Sequence, residues 1–119
     1  MGSPKTPATF AEAAAEAIRG LNHLTRAPRT DWQYPGDAYA TVASLATLTF
    51  RLPQAFAQIA QFIERLARED HIRSAKGSDG ADDVAAAIAA LRKAQDNAEV
   101  LAEHLDATHS ALGPLAYKQ

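Results

Sequence analysis

Apolar residues recur at alternating steps of three and four along the last third of the chain. They are Val84, Ala87, Leu91, Ala94, Ala98, Leu101, Leu105, Thr108 and Leu112. This period predicts a long helix whose apolar seam must be buried against other helices. Ser78 or Asp79 is expected to cap its first turn. Gly113, followed by Pro114, is expected to end it.

Two further helices are predicted before this one. The first begins at Thr9, which has capping-box spacing to Glu12, and ends near residue 27 because Pro28 follows. Its apolar stripe consists of Phe10, Ala14, Ala17, Leu21 and Leu24. Residues 28–37 are rich in proline, glycine and aspartate and form a loop. Asp37 is expected to be the N-cap of the second helix.

Residues 38–63 contain one formally charged residue, Arg51. A helix with so few charged residues is not expected to lie on a solvent-exposed surface. Threonine, serine, glutamine and proline interrupt the segment too often for a membrane span. It predicts a central helix that touches neighbours on most sides. The stripe of its second half is Leu52, Phe56, Ile59, Ile63 and Leu66. Pro53 either kinks this helix or starts a new one, and the lack of a turn cluster around it favours a kink.

The chain is therefore expected to be all-α, a small antiparallel bundle of three helices, or of four if it breaks at Pro53. The first helix is expected to pack alongside the long pair, which a loop at residues 71–80 connects. Residues 1–7 are expected to be a flexible tail, 8–113 the single domain and 114–119 a C-terminal tail. Alanine supplies about a quarter of the chain. Such a core buries little area, so the helices need one another or a second subunit.

Patterns for catalysis and metal binding are missing from the sequence. Cysteine is absent, and no two of the four histidines are three or four residues apart, as a metal-binding helix face would require. No serine lies in a Gly-x-Ser-x-Gly or Ser-x-x-Lys motif, and no phosphate-binding glycine loop occurs. We expect a protein that is not an enzyme, holds no cofactor or metal, and has solvated histidines.

Two groups of residues are candidates for binding a macromolecule. The nucleic-acid candidates are the basic residues Arg65, Arg68, Arg73 and Lys76. Interleaved acidic residues offset much of their charge, which weakens this interpretation. The partner-binding candidates are the aromatic residues Trp32, Tyr34 and Tyr39, because aromatic side chains are enriched in binding hot spots. Equally, Trp32 is suited to plug the open end of a helical bundle.

Net charge and hydropathy set the expected location. The formal net charge is -2, which gives no general attraction to nucleic acid or to an anionic membrane. No apolar stretch is long enough to span a bilayer, and residues 1–7 lack the apolar run of a secretory signal. We expect a soluble, cytoplasmic protein without membrane contact.

Three segments resemble parts of known proteins. Asp31–Trp32, Pro35–Tyr39 and Arg51–Ala55 look like segments of small helical proteins of actinobacteria that often accompany mobile elements. The resemblance covers the central third and implies no activity. In size and helicity the chain is also similar to the helical-hairpin proteins of type VII secretion. It departs from them because Gln33 and Tyr34 follow the tryptophan where those proteins have a Trp-x-Gly turn, and because their export signal is missing after the last helix.

The leading hypothesis is a non-enzymatic protein–protein interaction or adaptor module that forms a homo-oligomer, with residues 39–63 supplying both core and subunit contact. Its partner is a second copy or another protein. The alternative is a nucleic-acid-binding accessory or regulatory protein that uses the basic residues. A second alternative is an exported protein of the type VII kind.

Overall fold

Three helices form the structure, a computed structural model that describes residues 5–119. They are α1 (Pro7–Leu24), α2 (Pro35–Arg68) and α3 (Ala81–Leu112), and the described residues form no strand. The prediction of an all-α chain with three helices is confirmed. Because α2 continues through Pro53, the four-helix alternative is wrong, while the kink there stays a prediction. Residues 1–4 of the expected tail lie outside the described residues.

The first helix begins two residues before the predicted start. Thr6 is its N-cap: the Thr6 hydroxyl accepts from the Thr9 N–H at 3.2 Å, and the Thr9 hydroxyl accepts from the Thr6 N–H at 2.9 Å. The predicted capping box of Thr9 with Glu12 is therefore wrong. Pro7 explains the earlier start, because the first helical position needs no N–H partner and favours the fixed backbone angle of proline.

The second helix also starts on a proline, Pro35, so Asp37 is not its N-cap as predicted. The Asp37 carboxylate instead lies inside the first turn and reaches back to the loop. It accepts from the N–H groups of Gln33 and Tyr34, both at 2.9 Å. These bonds pair two donors that precede the helix and place a negative charge at its N-terminus, where the helix dipole favours it.

The third helix begins after Gly80, so neither Ser78 nor Asp79 is the N-cap that the sequence predicted. Gly80 has a φ of 83°, and a Cβ atom there would lie 3.0 Å from Cγ2 of Ile72. A side chain at this position would therefore be both strained and crowded. Asp79 still contributes, because its carboxylate accepts from the N–H of Ala81 at 3.0 Å.

Helices α2 and α3 pack against each other, and small residues form the contact. Ala60, Ala98 and Thr49 are buried, and no large side chain is fully buried among residues 5–119. The beginning of α2 contacts the end of α3, since the rings of Tyr39 and His109 stack with centroids 4.0 Å apart. Further along α2, the carboxylate of Glu64 lies 3.5 Å from the guanidinium of Arg92.

The buried side of α3 differs in part from the predicted seam. Its half-buried and buried positions are Val84, Ile88, Leu91, Ala94, Gln95, Ala98, Ala102, Leu105, His109 and Leu112. Six of the nine predicted positions are among them. The other three, Ala87, Leu101 and Thr108, are exposed. The prediction is wrong for these three because α2 contacts a strip of α3 turned slightly away from them.

The first helix does not pack alongside the other two, so that prediction is wrong. Within residues 5–119, no Cα atom of α1 lies within 8 Å of a Cα atom of α2 or α3. The radius of gyration is 19.4 Å, whereas a compact domain of this length has about 13.5 Å. The molecule measures 66 × 37 × 22 Å. It is therefore a two-helix unit with a separate N-terminal arm, which we call the α1 arm (Pro7–Leu24).

Candidate interaction surface

Helix α2 carries a second apolar stripe in addition to the side that contacts α3. Its positions follow steps of four and three: Leu48, Leu52, Ala55, Ile59, Phe62 and Leu66. We call these six residues the apolar face. Ile59 is 49% exposed and Phe62 48% exposed, although the sequence predicted Ile59 to be buried. Two apolar stripes on one helix are typical of a helix with neighbours on two sides.

The apolar face lies along one edge of the α2–α3 pair. At about 100° per residue, Ile59 turns to one side of the buried Ala60 and Glu64 turns to the other. Glu64 meets Arg92 of α3 across the charged edge of the pair. The apolar face is therefore on the edge opposite this ion pair.

Helix α3 extends the same uncharged edge. Leu101, 45% exposed, lies on the opposite side of Ala98 from Arg92 and hence on the edge that holds the apolar face. Between residues 87 and 108, the exposed and half-exposed positions of α3 along this edge are Ala87, Ala90, Ala94, Asn97, Leu101, His104 and Thr108. None of them carries a formal charge when histidine is neutral. Both helices thus present an uncharged surface along this edge, which on α3 ends at Asp83. That residue lies about five helical turns before Leu101 and carries a charge that pairs with Lys76.

The exposed area of the whole chain is large for its mass. A compact protein of this mass exposes about 6,200 Å², whereas this chain exposes 9261 Å². The surplus includes Phe50, which is 78% exposed and faces the opposite direction from Ile59, on the charged edge of α2. Most of the other exposed large side chains of the helices lie on the α1 arm or along the uncharged edge.

The predicted nucleic-acid residues lie at the C-terminal end of α2 and in the loop after it. All four are exposed. The guanidinium of Arg65 lies 5.4 Å from the centre of the Phe62 ring, a cation–π contact at the rim of the apolar face. Lys76 pairs with the Asp83 carboxylate at 3.2 Å. Two of the four cations are therefore already engaged within the chain.

The predicted aromatic residues do not form one cluster. Trp32 is half-buried in the loop, where its backbone exchanges two hydrogen bonds with Arg29. Tyr34 contacts Tyr117 edge-on, with centroids 5.1 Å apart, so the C-terminal segment packs on the loop before α2. Tyr39 stacks on His109. The structural and the partner-binding interpretations of Trp32 both stay predictions.

The prediction that the histidines are solvated surface residues is wrong for His109. His109 is half-buried under the Tyr39 ring and is not a solvated surface residue. The spacing of His109 to Leu105 and Leu112 indicates the contact side of α3. It was nevertheless predicted to be solvated because its side chain is polar. His23 lies at the exposed surface, with Nδ1 2.8 Å from a guanidinium nitrogen of Arg26.

Two carboxylates have lowered pKa values. The N–H of Gln33, followed by that of Tyr34, holds the pKa of Asp37 below its ordinary value of 3.8. The pKa of Asp83 is lowered by its hydrogen bonds to Ser74 and then to Lys76. Both groups tie a loop to a helix start, so they fix the geometry at the two ends of the α2–α3 pair.

Asp37→Asn is expected to remove a pH-dependent part of the stability of the loop before α2. Because the folded pKa lies below the unfolded one, this contribution is present above the ordinary carboxylate range and disappears as pH falls through the lowered pKa. The wild-type protein should therefore melt at a higher temperature than Asp37→Asn at neutral pH, and the two should converge on acidification. Thermal unfolding followed by circular dichroism from pH 7 to pH 2 measures this. An equal gap at every pH would contradict the expectation, and Asp106→Asn on the exposed side of α3 is the charge-matched control.

The chain is thus an all-α protein of three helices with an uncharged edge and a detached arm. Comparison with protein-family models, with curated proteins and with solved structures found no match. None of the helices formed by the described residues is both long enough and apolar enough to cross a membrane.

Proposed function

We propose that the protein is a non-enzymatic helical interaction module that self-associates through the apolar face. In this proposal α2 and α3 form an antiparallel pair. Two contacts support that arrangement: Tyr39 near the beginning of α2 stacks on His109 near the end of α3, and Glu64 near the end of α2 pairs with Arg92 in the first half of α3. The apolar face then provides the surface on which a further helix packs, as in a multi-helix bundle.

The observation that carries the proposal is the uncovered, uncharged edge of the α2–α3 pair. Water-exposed Ile59, Phe62 and Leu101 lie on it together. Burying apolar area is favourable by about 25 cal/mol per Å², so covering this edge stabilises the assembly. The chain exposes about 3,000 Å² more than a compact protein of its mass, and a standard interface needs only about 800 Å² from each partner.

Light scattering coupled to size-exclusion chromatography tests the proposal. The mass is expected to equal two or more copies at high micromolar concentration and to fall towards that of one copy on dilution. A mass of one copy across the whole concentration range would reject self-association.

The nucleic-acid alternative receives less support than self-association. Lys76 is paired with Asp83, and Arg65 lies on the Phe62 ring. Phosphate binding would have to compete with both contacts. The apolar face, in contrast, has no competing contact among residues of the α1 arm in the same chain.

A further inference from the structure

The α1 arm carries an apolar stripe that neither α2 nor α3 covers. Phe10 is 63% exposed and Leu24 44% exposed, and no residue of the arm is buried. The opposite side of the arm carries Glu12, Glu16 and Arg19. Helices in proteins owe most of their stability to packing of such a stripe rather than to intrinsic propensity. The arm is therefore an amphipathic helix without the surface that it needs.

The loop between α1 and α2 holds the arm away from its own α2–α3 pair. The backbones of Arg29 and Trp32 exchange hydrogen bonds of 3.0 and 3.3 Å, and the Arg29 side chain pairs with Asp31. The Asp37 carboxylate binds the two N–H groups before Pro35. These bonds stabilise the loop in a conformation in which no Cα atom of the arm lies within 8 Å of a Cα atom of α2 or α3. A second copy can bring its apolar face to the arm without breaking any of them.

We propose that the α1 arm of one copy docks on the apolar face of a second copy, and the reverse, so that the dimer is held by exchanged arms. This inference rests on the self-association proposed above and names the segment that fills the apolar face. Exchange of an identical element is a low-cost route to a symmetric dimer. Each copy then buries the apolar stripe of its own arm, and the arm of the other copy covers the apolar face of its α2.

The two surfaces fit in length and character. The stripe of the arm from Phe10 to Leu24 extends over about 21 Å, which fits within the apolar face, since Leu48 to Leu66 extend over about 27 Å. Neither the stripe of the arm nor the apolar face contains a charged residue. Ala14 and Ala17 in the stripe leave room for the larger Ile59 and Phe62 of the facing helix.

Cysteine cross-linking between full-length chains tests this arrangement, because the natural chain contains no cysteine. Ala14→Cys in the stripe and Ala55→Cys in the apolar face are prepared as single variants, refolded together and oxidised. The expected main product is a disulfide that joins one Ala14→Cys chain to one Ala55→Cys chain, identified by peptide mass spectrometry. Ala15→Cys, which points away from the stripe, replaces Ala14→Cys in the matched control and is expected to lose most of the cross-link.

The outcomes separate this inference from the proposed function. If Ala55→Cys chains link mainly to each other, the apolar faces pack face to face: self-association stands and arm exchange is overturned. If a chain with both cysteines forms only the internal disulfide and has the mass of one copy, the arm covers its own face and both proposals fail. Absence of any cross-link in a protein with the mass of two copies would also overturn arm exchange, since the dimer would then use another surface.

Discussion

Ile59→Glu is expected to convert the self-associated protein into a monomer that keeps its helices. Ile59 is half-exposed in the single chain, so a glutamate there remains hydrated and α2 still folds. In the assembly the same carboxylate would be buried against an uncharged surface with no cation to pair with it. Loss of hydration of an unpaired charge costs several kcal/mol. Since each 1.4 kcal/mol is a factor of ten in affinity, we expect the dissociation constant to rise by about a hundredfold or more.

Gln61→Glu is the matched control for this substitution. It introduces the same charge two residues further along α2, at an exposed position that is turned by about 160° from Ile59 and by about 100° or more from every residue of the apolar face. Its mass by light scattering should equal that of the wild-type protein at every concentration. If Ile59→Glu also kept the wild-type mass, the apolar face would not be the contact between subunits. Circular dichroism of both variants confirms that the helices are retained.

Ala60→Leu is expected to destabilise the α2–α3 pair strongly. Ala60 is fully buried and Ala98 is nearly so, which means that the two helices approach each other over small side chains. Three additional carbon atoms must either push α2 from α3 or force side chains out of their preferred rotamers. Overpacking of this kind costs about 1–3 kcal/mol. For a chain of this size each kcal/mol lowers the melting temperature by roughly 3–6 °C.

The control for the packing prediction is Ala89→Leu, at an exposed position of α3. Leucine and alanine have similar helix propensity, so the melting temperature should change little. Thermal unfolding by circular dichroism or calorimetry measures both variants at one protein concentration, because self-association would make the melting temperature concentration-dependent. A higher melting temperature for Ala60→Leu would mean that a cavity at Ala60 accepts the larger side chain and that the close contact is absent.

The dependence on alanine links the two predictions. A contact built on Ala60, Ala98 and Thr49 buries little apolar area, so it leaves the larger side chains of α2 available for a second contact. Ile59 and Phe62 are two such side chains. The same composition that makes the α2–α3 contact narrow therefore leaves the apolar face in water. This chain can bury the apolar face only against a partner surface, because its intramolecular core is too small to cover it.

Local sequence patterns predicted the helices themselves. The spacing of apolar residues placed all three, and the pair of Gly113 and Pro114 marked the end of α3 at Leu112. The starts were predicted less well, because several residues near each start can cap a helix. Thr6 and Thr9 compete as caps at α1, whereas at α2 a start with Pro35 at the first helical position competes with a start capped by Asp37. The outcome depends on backbone geometry that residue type alone does not fix.

The choice of buried stripe was decided by tertiary structure alone. Periodicity shows that α2 has apolar residues on two sides, but it cannot say that α3 covers Ala60 and leaves Ile59 exposed, because both stripes have the same spacing. For the same reason Leu101 appeared to belong to the seam of α3, while His109 appeared to be a surface residue. The detached position of the α1 arm is likewise a property of the tertiary structure, since its apolar stripe alone predicted packing against the other helices. Spacing along one helix fixes which side chains lie together, whereas the partner that covers them depends on where the other helices run in space.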